Sequence, residues 1–422
     1  MSAVGSPGTV AIVSLSGERL EDLPGNGEFA TILSLDLTGQ APDTLAARIA
    51  AVELAREAGA EWLIALAPGE TVADDAFELA APALGLYDAI FGAAHEIDSS
   101  EAVARLTRLA FDTADRLPHA LLNWWMPDAH LVRTQVASQA LARVAKKGGA
   151  NWKLDYLFDI WGNARCLKSA QPLLELDAEP QPLDADGRDH VLHRLDEQPV
   201  FLPIVHGDAV YYLPYTGRNA GIEREQSRGL FYEAMELEEL RKAVKPGAHV
   251  VDVGANTGNH TIFFAGPMKA ASVLPFEPLP AAAGALRAAV ARNGMQNVDL
   301  SRLGVGVADV EGRVKLVFSG RGGLGATSLE PDPAGEISVA PLDSMISGRV
   351  DLLKVDVEGM EMSVLAGSQE LIGRWKPLIF IEVANRNTSA LMEWLSDADY
   401  KVSRIFTDKG HANYLLSPKA VD

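Results

Sequence analysis

Cysteine is almost absent from the sequence, since Cys166 is the only one among 422 residues. A single thiol cannot form a disulfide within the chain, and the scarcity of cysteine is typical of a reducing compartment. Long apolar runs are missing too, because no stretch reaches the roughly 20 residues that a transmembrane helix needs. Met1 is not followed by the basic and apolar segments of a secretory signal. These absences predict a soluble, cytoplasmic protein with no membrane span.

Positive charge is scarce relative to negative charge. The chain has 37 lysines and arginines against 57 aspartates and glutamates, which gives a formal net charge of −20 at pH 7. Such a surface repels a phosphate backbone, so we expect no nucleic acid partner. Apolar residues make up 48% and charged residues 22%, which is ordinary for a globular protein. A chain of 422 residues exceeds one typical core, so we expect two domains. The composition leaves a homo-oligomer open.

One stretch combines a strand, a glycine turn and a helix. Residues 250–253 form a short run rich in valine, typical of a strand in a parallel sheet that is covered on both faces. A predicted helix over residues 261–268 points its N-terminus at any ligand held by the turn. The candidate cofactor-binding residues are Asp252, Gly254, Asn256 and Gly258. A dinucleotide fingerprint has the spacing Gly-x-Gly-x-x-Gly, whereas this spacing favours a cofactor without a pyrophosphate.

A further candidate binding residue follows the next predicted strand, residues 271–276. Glu277 lies 23 positions after Gly254. An acidic side chain about 20 residues after such a turn accepts two hydrogen bonds from a ribose diol. A solvated carboxylate at a strand end is the alternative, but the preceding turn at this distance favours ribose binding.

Four motifs in this order resemble those of FkbM-family methyltransferases. They are Asp252-Val-Gly-Ala-Asn-Thr-Gly258, Phe276-Glu-Pro278, Lys354-Val-Asp-Val-Glu-Gly-Met-Glu361 and Ile381-Glu-Val383. The resemblance covers residues 199–418, where Phe231-Tyr232-Glu233 matches a segment that lies over the cofactor site in that family. It implies S-adenosylmethionine (SAM) as methyl donor and an α/β fold with the seven-stranded, Rossmann-like sheet of class I methyltransferases. It also implies O-methylation of a saccharide-type acceptor, such as a cell-surface polysaccharide, a glycolipid or a glycosylated metabolite.

The catalytic residues are expected at the strand end where the acceptor and the methyl group would meet. Methyl transfer needs an acceptor oxygen held at near-attack distance and a group that takes its proton. A predicted strand over residues 350–355 ends at Asp356, and open parallel sheets bind ligands at the carboxyl ends of their strands. We predict Asp356 as the base or substrate-orienting group, with Glu358 as the second choice. A divalent ion held by Asp356, Glu358 and Glu382 is an alternative, but no His-rich ligand set accompanies them, so no metal site is predicted.

Four more residues are assigned to binding. The adenine is expected near Asp309, after a predicted third strand over residues 298–303. Glu382 ends a predicted fifth strand and faces the same cleft, which favours acceptor binding. Thr327 and Ser328 close a glycine-dense loop that is similar to a loop near the acceptor in the FkbM family, and a flexible surface turn is an equal alternative.

The first half of the chain, residues 1–180, alternates strand and helix patterns in a way that predicts a parallel α/β sheet. Its order is similar to that of GT-A glycosyltransferases, in which one strand ends in an Asp-x-Asp metal site. The matching positions here are Leu66, Ala67 and Pro68. Without carboxylates the ion that neutralises a leaving phosphate is not held, so we predict a degenerate, non-catalytic domain. Residues 181–198 are predicted as a linker, and residues 199–422 as the methyltransferase domain.

Two other functions stay open from the sequence. A bifunctional glycosyltransferase and methyltransferase would transfer a sugar and then methylate it, which the missing Asp-x-Asp motif argues against. A SAM-binding scaffold without catalysis fits the fold, but the presence of both Asp356 and Glu358 argues for an enzyme.

Overall fold

The computed structural model describes residues 9–16, 30–33, 43–74, 76–96, 106–108, 122, 129–177, 183–197, 200–318, 324, 327–407 and 410–419. The chain divides into two compact units, Met1–Arg194 and Leu195–Asp422. Among the described residues, none of the helices is both long and apolar enough to cross a lipid bilayer.

The N-terminal unit is built on a mixed sheet that has eight strands in the described part of the chain. They are β1 (Val10–Ser14), β2 (Ala30–Leu33), β3 (Trp62–Leu66), β4 (Glu70–Val72), β5 (Ala89–Glu96), β6 (Leu106–Arg108), β7 (Leu131–Arg133) and β8 (Cys166–Leu176). The order is β2-β1-β3-β7-β5-β8-β4, with β6 beside β5. The predicted parallel arrangement is present in β2-β1-β3 and in β5-β8. It is incomplete elsewhere, because β7 is antiparallel to β3 and β5, and β4 is antiparallel to β8.

The helices of this unit pack against its sheet and one another, and the first of them has an N-cap and small buried residues. They are α1 (Leu45–Glu57), α2 (Ala76–Leu84), α3 (Thr134–Lys147), α4 (Trp152–Asn163) and α5 (Ala185–Glu197). The hydroxyl of Thr44 accepts a hydrogen bond from the N–H of Ala47 at 3.2 Å and so caps α1. Small buried residues on α1, among them Ala47 and Ala51, let it lie close to its neighbours.

A helix occupies most of the stretch that the sequence predicted as a linker, residues 181–198. Val191 of α5 is fully buried. The carboxylate of Asp155 in α4 lies 3.1 Å from Nε2 of His190 and 3.2 Å from Nε of Arg194. These contacts give α5 a packed face, which the proline and charge content of the stretch did not reveal.

The C-terminal unit has three sheets in its described part. The strands are β9 (Val200–His206), β10 (Ala209–Tyr215), β11 (His249–Val253), β12 (Ser272–Phe276), β13 (Val305–Val307), β14 (Gly312–Phe318), β15 (Thr327–Pro331), β16 (Ile337–Ala340), β17 (Leu352–Val355), β18 (Leu378–Ala384), β19 (Tyr400–Thr407) and β20 (His411–Pro418). The central sheet has the order β12-β11-β17-β18-β20-β19. Its first four strands are mutually parallel, whereas β20 is antiparallel to β18 and β19.

Side chains alternate between the two faces of the central sheet, as the strand period requires. Val250 and Leu352 belong to one buried apolar cluster, and their neighbours Val251 and Leu353 belong to another. The sheet is therefore covered on both faces, in agreement with the valine-rich run in β11.

The third strand predicted at residues 298–303 is not formed as a regular strand. Val298 pairs with Val273, and Leu303 pairs with Glu277, each as an isolated parallel bridge. Between them Leu300–Arg302 forms a 3-10 helix, in which the carboxylate of Asp299 accepts a hydrogen bond from the N–H of Ser301 at 2.9 Å. The described part of the central sheet thus has six strands, with a bridged segment beside β12.

The remaining elements flank this sheet. The strands β13-β16-β14-β15 form a second sheet, and β9 and β10 form an antiparallel hairpin. Pro203 does not interrupt β9, because both strands of a two-stranded ribbon are edges and can lack one donor. The helices are α6 (Ala220–Ser227), α7 (Ala234–Ala243), α8 (Asn259–Ala265), α9 (Pro280–Asn293), α10 (Leu342–Met345), α11 (Glu361–Ala366), α12 (Gln369–Trp375) and α13 (Thr388–Asp397).

Candidate active site

The glycine turn after β11 brings three strand ends together. Gly254 has a φ of +77°, and its N–H donates to the carbonyl oxygen of Phe276 in β12 at 3.0 Å. A Cβ at Gly254 would lie 1.8 Å from the carbonyl oxygen of Asp356, which follows β17. Only glycine combines this backbone conformation with this close contact. Gly254 is therefore required by the packing of the strand ends.

Asn256 and Gly258 complete the turn in different ways. Asn256 has a φ of +49°, and its Oδ1 accepts hydrogen bonds from Nδ2 of Asn219 at 3.0 Å and from the N–H of Thr257 at 2.8 Å. A Cβ at Gly258 would lie 2.4 Å from Cδ1 of Leu286 in α9. Gly258 thus serves helix packing, whereas Asn256 faces the cavity described next.

A cavity of about 260 Å³ lies at the carboxyl ends of β11, β12, β17 and β18. Its walls are formed by Ile222, Tyr232, Gly254, Asn256, Glu277, Pro278, Leu279, Leu324, Asp356, Val357, Glu358, Glu382 and His411. The volume is just below the roughly 300 to 1,000 Å³ typical of ligand sites. The predicted residues brought together here are Gly254, Asn256, Glu277, Asp356, Glu358 and Glu382.

Glu277 is a buried carboxylate in the wall of the cavity, with only 4% of its surface exposed. Its Oε2 accepts the N–H of Asn256 and its Oε1 accepts the N–H of Leu279, each at 2.8 Å. Burial raises the pKa of Glu277 to about 7, although both backbone hydrogen bonds oppose the shift. A carboxylate oxygen can accept two hydrogen bonds, so Glu277 retains acceptor capacity for a ligand.

Asp252 is placed differently from its prediction as a cofactor ligand. It is fully buried and is not part of the cavity wall. Its Oδ2 accepts a hydrogen bond from the hydroxyl of Thr261 at 2.6 Å, and its Oδ1 lies 3.2 Å from Nζ of Lys354. A buried carboxylate needs such partners, so Asp252 acts behind the wall rather than in it.

Lys354 connects this buried carboxylate to the cavity. Its Nζ donates to the carbonyl oxygen of Gly254 at 2.6 Å and lies 3.5 Å from Oδ2 of Asp356. Burial lowers the pKa of Lys354, but the carboxylates of Asp252 and Asp356 outweigh burial, so the pKa lies above its ordinary value. The ammonium thus ties the glycine turn to Asp356.

The predicted catalytic residues Asp356 and Glu358 both line the cavity. Glu358 has a φ of +45°, an uncommon conformation for a residue with a side chain. Burial raises the pKa of Glu358, and the charges of Asp356 and Glu361 raise it further. Glu361 itself is buried, and its carboxylate accepts hydrogen bonds from the N–H of Gly359 at 2.6 Å and from Nδ2 of Asn387 at 2.8 Å. Glu361 therefore shapes the loop that presents Glu358.

Glu382 and His411 are diagonal neighbours in the antiparallel pair β18-β20, where Glu382 is opposite Asn413 and His411 is opposite Ala384. Nε2 of His411 lies 3.4 Å from Oε2 of Glu382, and both side chains line the cavity. Burial raises the pKa of Glu382 to about 9, with further contributions from the charges of Asp356, Glu233 and Glu358.

The segment before α7 forms another part of the wall. Asn259 accepts the N–H of Tyr232 at 3.0 Å and donates to its carbonyl oxygen at 2.9 Å, which holds Tyr232 against the cavity. Glu233 has a φ of +57°, and its carboxylate lies 3.0 Å from Nε2 of His260 and accepts from Nδ2 of Asn413 at 2.8 Å. Burial raises the pKa of Glu233, but these two partners lower it by more, so the net pKa lies below the ordinary value.

Three predicted binding residues have no described contact with this cavity. Asp309 is exposed, and its Oδ1 accepts a hydrogen bond from the hydroxyl of Ser363 at 2.7 Å. Thr327 and Ser328 lie in β15, paired with β14. Their side chains, and most of the glycine-dense loop before them, lie outside the described part of the structure. The assignments to adenine and acceptor binding stay predictions.

Sequence reasoning missed Lys354 and His411 as parts of the site. Lys354 was inside a quoted motif, and an isolated lysine in an apolar strand is a signal for a buried ion pair. His411 had no local signal, because only the pairing of β20 with β18 brings it to Glu382. Within the described residues, no group of three or more histidine, cysteine, aspartate and glutamate side chains could hold a metal ion.

Comparisons with known proteins address the C-terminal unit. The model of the methyltransferase FkbM domain matches residues 252–402, which confirms the FkbM resemblance over that range. A comparison with curated protein sequences found no match.

Three similar solved structures carry the names of methyltransferases, and each has low identity to this chain. The methyltransferase FkbM from Methylobacillus flagellatus KT is 18% identical with a TM-score of 0.30, over 55% of this chain and 61% of that chain. An rRNA methylase from Streptococcus thermophilus is 14% identical with a TM-score of 0.31, over 44% of this chain and 96% of the other. A precorrin-6y C5,15-methyltransferase from Geobacter metallireducens GS-15 is 15% identical with a TM-score of 0.29, over 44% and 87%. At these values nothing follows about the cofactor or acceptor of this chain. The residues that resemble a methyltransferase FkbM domain, 252–402, include the glycine turn and all four carboxylates of the cavity wall, which belong to Glu277, Asp356, Glu358 and Glu382.

Proposed function

We propose that the C-terminal unit is a SAM-dependent O-methyltransferase that acts on a hydroxyl group of a saccharide. The observation that carries the proposal is the buried carboxylate of Glu277, which faces a cavity beside the glycine turn and within the matched domain. The saccharide class rests on the four FkbM-like motifs. Their resemblance implies a polysaccharide, a glycolipid or a glycosylated metabolite as acceptor.

The residues at the β12 end of the cavity suit the nucleoside of SAM. Each oxygen of Glu277 accepts one backbone N–H, and each can accept another hydrogen bond from a ribose hydroxyl. Donors of this kind stabilise the ionised carboxylate, so binding would lower the pKa of Glu277 from about 7. Gly254 and Asn256 would form the adjoining wall. SAM would supply an electrophilic methyl group on a positively charged sulfur.

The β17 and β18 end of the cavity carries groups that suit an acceptor hydroxyl. Lys354 holds Asp356 in place, so Asp356 can orient the hydroxyl or accept its proton. Glu358 is the second candidate for the proton, because its raised pKa makes it a stronger base than an ordinary carboxylate. Glu382 is assigned to acceptor binding. The hydroxyl oxygen would form the new bond to the methyl carbon while the bond between that carbon and the sulfur breaks. The sulfur would leave as an uncharged thioether, and the hydroxyl proton would pass to one of these carboxylates.

For the N-terminal unit we propose a non-catalytic, glycosyltransferase-like role in presenting the glycan. Leu66 is the last residue of β3 and Ala67 follows it, and both residues are buried. The carboxylate of Glu70 accepts the N–H of Ala67 at 2.8 Å and the N–H of Ala129 at 3.2 Å. This strand end therefore offers no pair of carboxylates to a divalent ion.

Incubation of the full chain with SAM labelled in its methyl group, together with a panel of saccharides, tests the proposal. We expect label in a saccharide product that resists alkali, because a methyl ether survives alkali and a methyl ester does not. The double variant Asp356→Ala and Glu358→Ala should slow transfer by about 100-fold or more, the usual effect of losing acid–base catalysis.

The same experiment separates the alternatives. Transfer at the wild-type rate in the double variant would refute the catalytic assignment. Binding of SAM without transfer to any hydroxyl would favour a SAM-binding scaffold. Thermal stabilisation by a nucleotide sugar that depends on Mn²⁺ would favour a bifunctional protein.

A further inference from the structure

The titratable side chains of the cavity wall are mostly acidic. Four carboxylates line the cavity, and they belong to Glu277, Asp356, Glu358 and Glu382. Among the described residues of the wall, the only basic side chain is the imidazole of His411. Carboxylates that share a small volume repel one another, and a proton or a cation relieves the repulsion.

Glu382 has the most crowded position in this set. Asp356 and Glu358 approach it from the end of β17, and Glu233 approaches it from the segment before α7. These three negative charges and burial raise the pKa of Glu382 to about 9. At neutral pH Glu382 therefore holds a proton when the cavity contains no cation.

The positive groups near Glu382 do not neutralise it. Lys354 is 2% exposed and is committed to Asp252 at 3.2 Å and to the carbonyl oxygen of Gly254 at 2.6 Å. His411 lies 3.4 Å from Glu382 and can share a proton with it rather than add a fixed charge. Lys354 also lies 3.5 Å from Asp356, so among the crowded carboxylates it is Glu382 that has no permanent cation in contact within the described part of the cavity wall.

The sheet order separates Glu382 from the nucleoside end. Glu277 follows β12 and Glu382 lies in β18, with β11 and β17 between these strands. Strands lie about 4.8 Å apart, so the two strand ends are separated by roughly 14 Å. With the ribose at Glu277, the sulfur end of SAM would lie toward Asp356 and Glu382.

We propose that this cavity selects ligands by positive charge and that Glu382 releases a proton when the sulfonium of SAM binds. The inference rests on the proposed function, because it takes the cavity as the SAM site. Its consequence is discrimination between SAM and S-adenosylhomocysteine (SAH), the demethylated product. The two differ by the methyl group and its positive charge, and they carry the same amino acid charges. Since coupling is reciprocal, the preference for SAM should increase as the pH rises toward 9.

Titration calorimetry on the full chain tests the proposal. SAM and SAH are each bound at pH 8 in two buffers with different heats of ionisation, which gives the number of protons released. In the wild-type protein we expect SAM to release more protons than SAH does. In Glu382→Gln this difference should disappear, and the preference for SAM should fall about tenfold, the equivalent of one pKa unit of interaction. Glu330→Gln, an exposed carboxylate of β15, is the matched control and should behave as wild type.

An infrared titration of the wild-type protein provides a readout that does not depend on the variant folding. A protonated carboxyl band at pH 8 should vanish on addition of SAM and persist on addition of SAH. Equal release with SAM and SAH, or unchanged release in Glu382→Gln, would overturn the inference and leave SAM binding intact. If neither compound bound to the wild-type protein, the proposed function itself would fail, and the inference with it.

Discussion

Glu70 in the N-terminal unit and Glu277 in the C-terminal unit use their carboxylates in the same way. Each follows a buried strand and accepts two backbone N–H groups, at 2.8 and 3.2 Å for Glu70 and at 2.8 Å twice for Glu277. The strand next to Glu70 runs into buried Ala67, whereas the strands near Glu277 end in further acidic residues such as Asp356. The basic role of such a carboxylate is thus structural, because it holds two backbone segments together by accepting their N–H groups. It can bind a ligand or take part in catalysis only where neighbouring strand ends add polar groups around a cavity.

Removal of Lys354 should have the largest effect among the changes that test this contrast. Lys354→Met leaves Asp252 as a buried charge without its cation, which costs about 3 to 5 kcal/mol. The control is Arg143→Met in the N-terminal unit, where Arg143 is half exposed and bonded to Asp159. An exposed pair contributes roughly 0 to 1 kcal/mol. Urea unfolding followed by hydrogen exchange in each unit measures both. Equal losses in the two variants would contradict a special role of the buried pair.

Two glycines of similar conformation provide the next test. Gly254 and Gly59 have φ of +77° and +70°, but a Cβ would meet the carbonyl oxygen of Asp356 at Gly254 and nothing within 4 Å at Gly59. Gly59→Ala should cost about 1 kcal/mol for its backbone conformation alone. Gly254→Ala should cost about 3 kcal/mol, because overpacking is added. Thermal unfolding, assigned to each unit by hydrogen exchange, gives both values. A small loss in Gly254→Ala would mean that the strand ends can move apart.

The two carboxylates themselves can be compared by ligand binding. Glu277→Ala should weaken SAM binding by about 100-fold, because two hydrogen bonds to a charged group contribute roughly 3 kcal/mol together. Glu70→Ala should leave SAM affinity unchanged and lower only the stability of the N-terminal unit. Titration calorimetry with SAM measures the affinities. Unaltered affinity in Glu277→Ala would remove the ribose assignment.

Local patterns made part of this site predictable from the sequence. The valine-rich strand, the glycine turn and Glu277 follow one another within 28 residues, so their spacing in the sequence was enough to predict that they belong to one binding site. The four parallel strands then place Asp356 and Glu382 at the same edge of the sheet. That edge follows from the general geometry of α/β folds.

Other parts depend on pairings that no local pattern encodes. Asp252 was predicted to contact the cofactor, but Lys354 lies opposite it in the register of β11 and β17 and takes its carboxylate. His411 reaches the site because β20 returns antiparallel to β18. The third strand was predicted from apolar residues at 298–303, yet Asp299 caps a 3-10 turn there and leaves only two bridges. Side chains with short polar groups compete locally with strand pairing.

The pH dependence of the free energy of unfolding should differ between the two units, and this difference is the smallest of the expected effects. Burial raises the pKa of Glu277 to about 7, so its contribution to folding is complete below its ordinary pKa of 4.5 and is lost as the pH rises through 7. Through Glu277, the free energy of unfolding of the C-terminal unit should fall by up to about 1 kcal/mol per pH unit between pH 5 and 7, and Glu382, whose pKa is raised to about 9, should add a fall of similar size. Asp88 in the N-terminal unit has its pKa lowered to about 2, mainly by its hydrogen bond with Arg165. Its contribution is complete above 3.8 and lost only as the pH falls through 2, so it is constant between pH 5 and 7. Urea unfolding of each unit across this range measures the slopes, and Glu277→Gln should make the slope of the C-terminal unit less steep without removing it, because Glu382 keeps its raised pKa. An unchanged slope in Glu277→Gln would show that Glu277 is ionised without cost in its buried position.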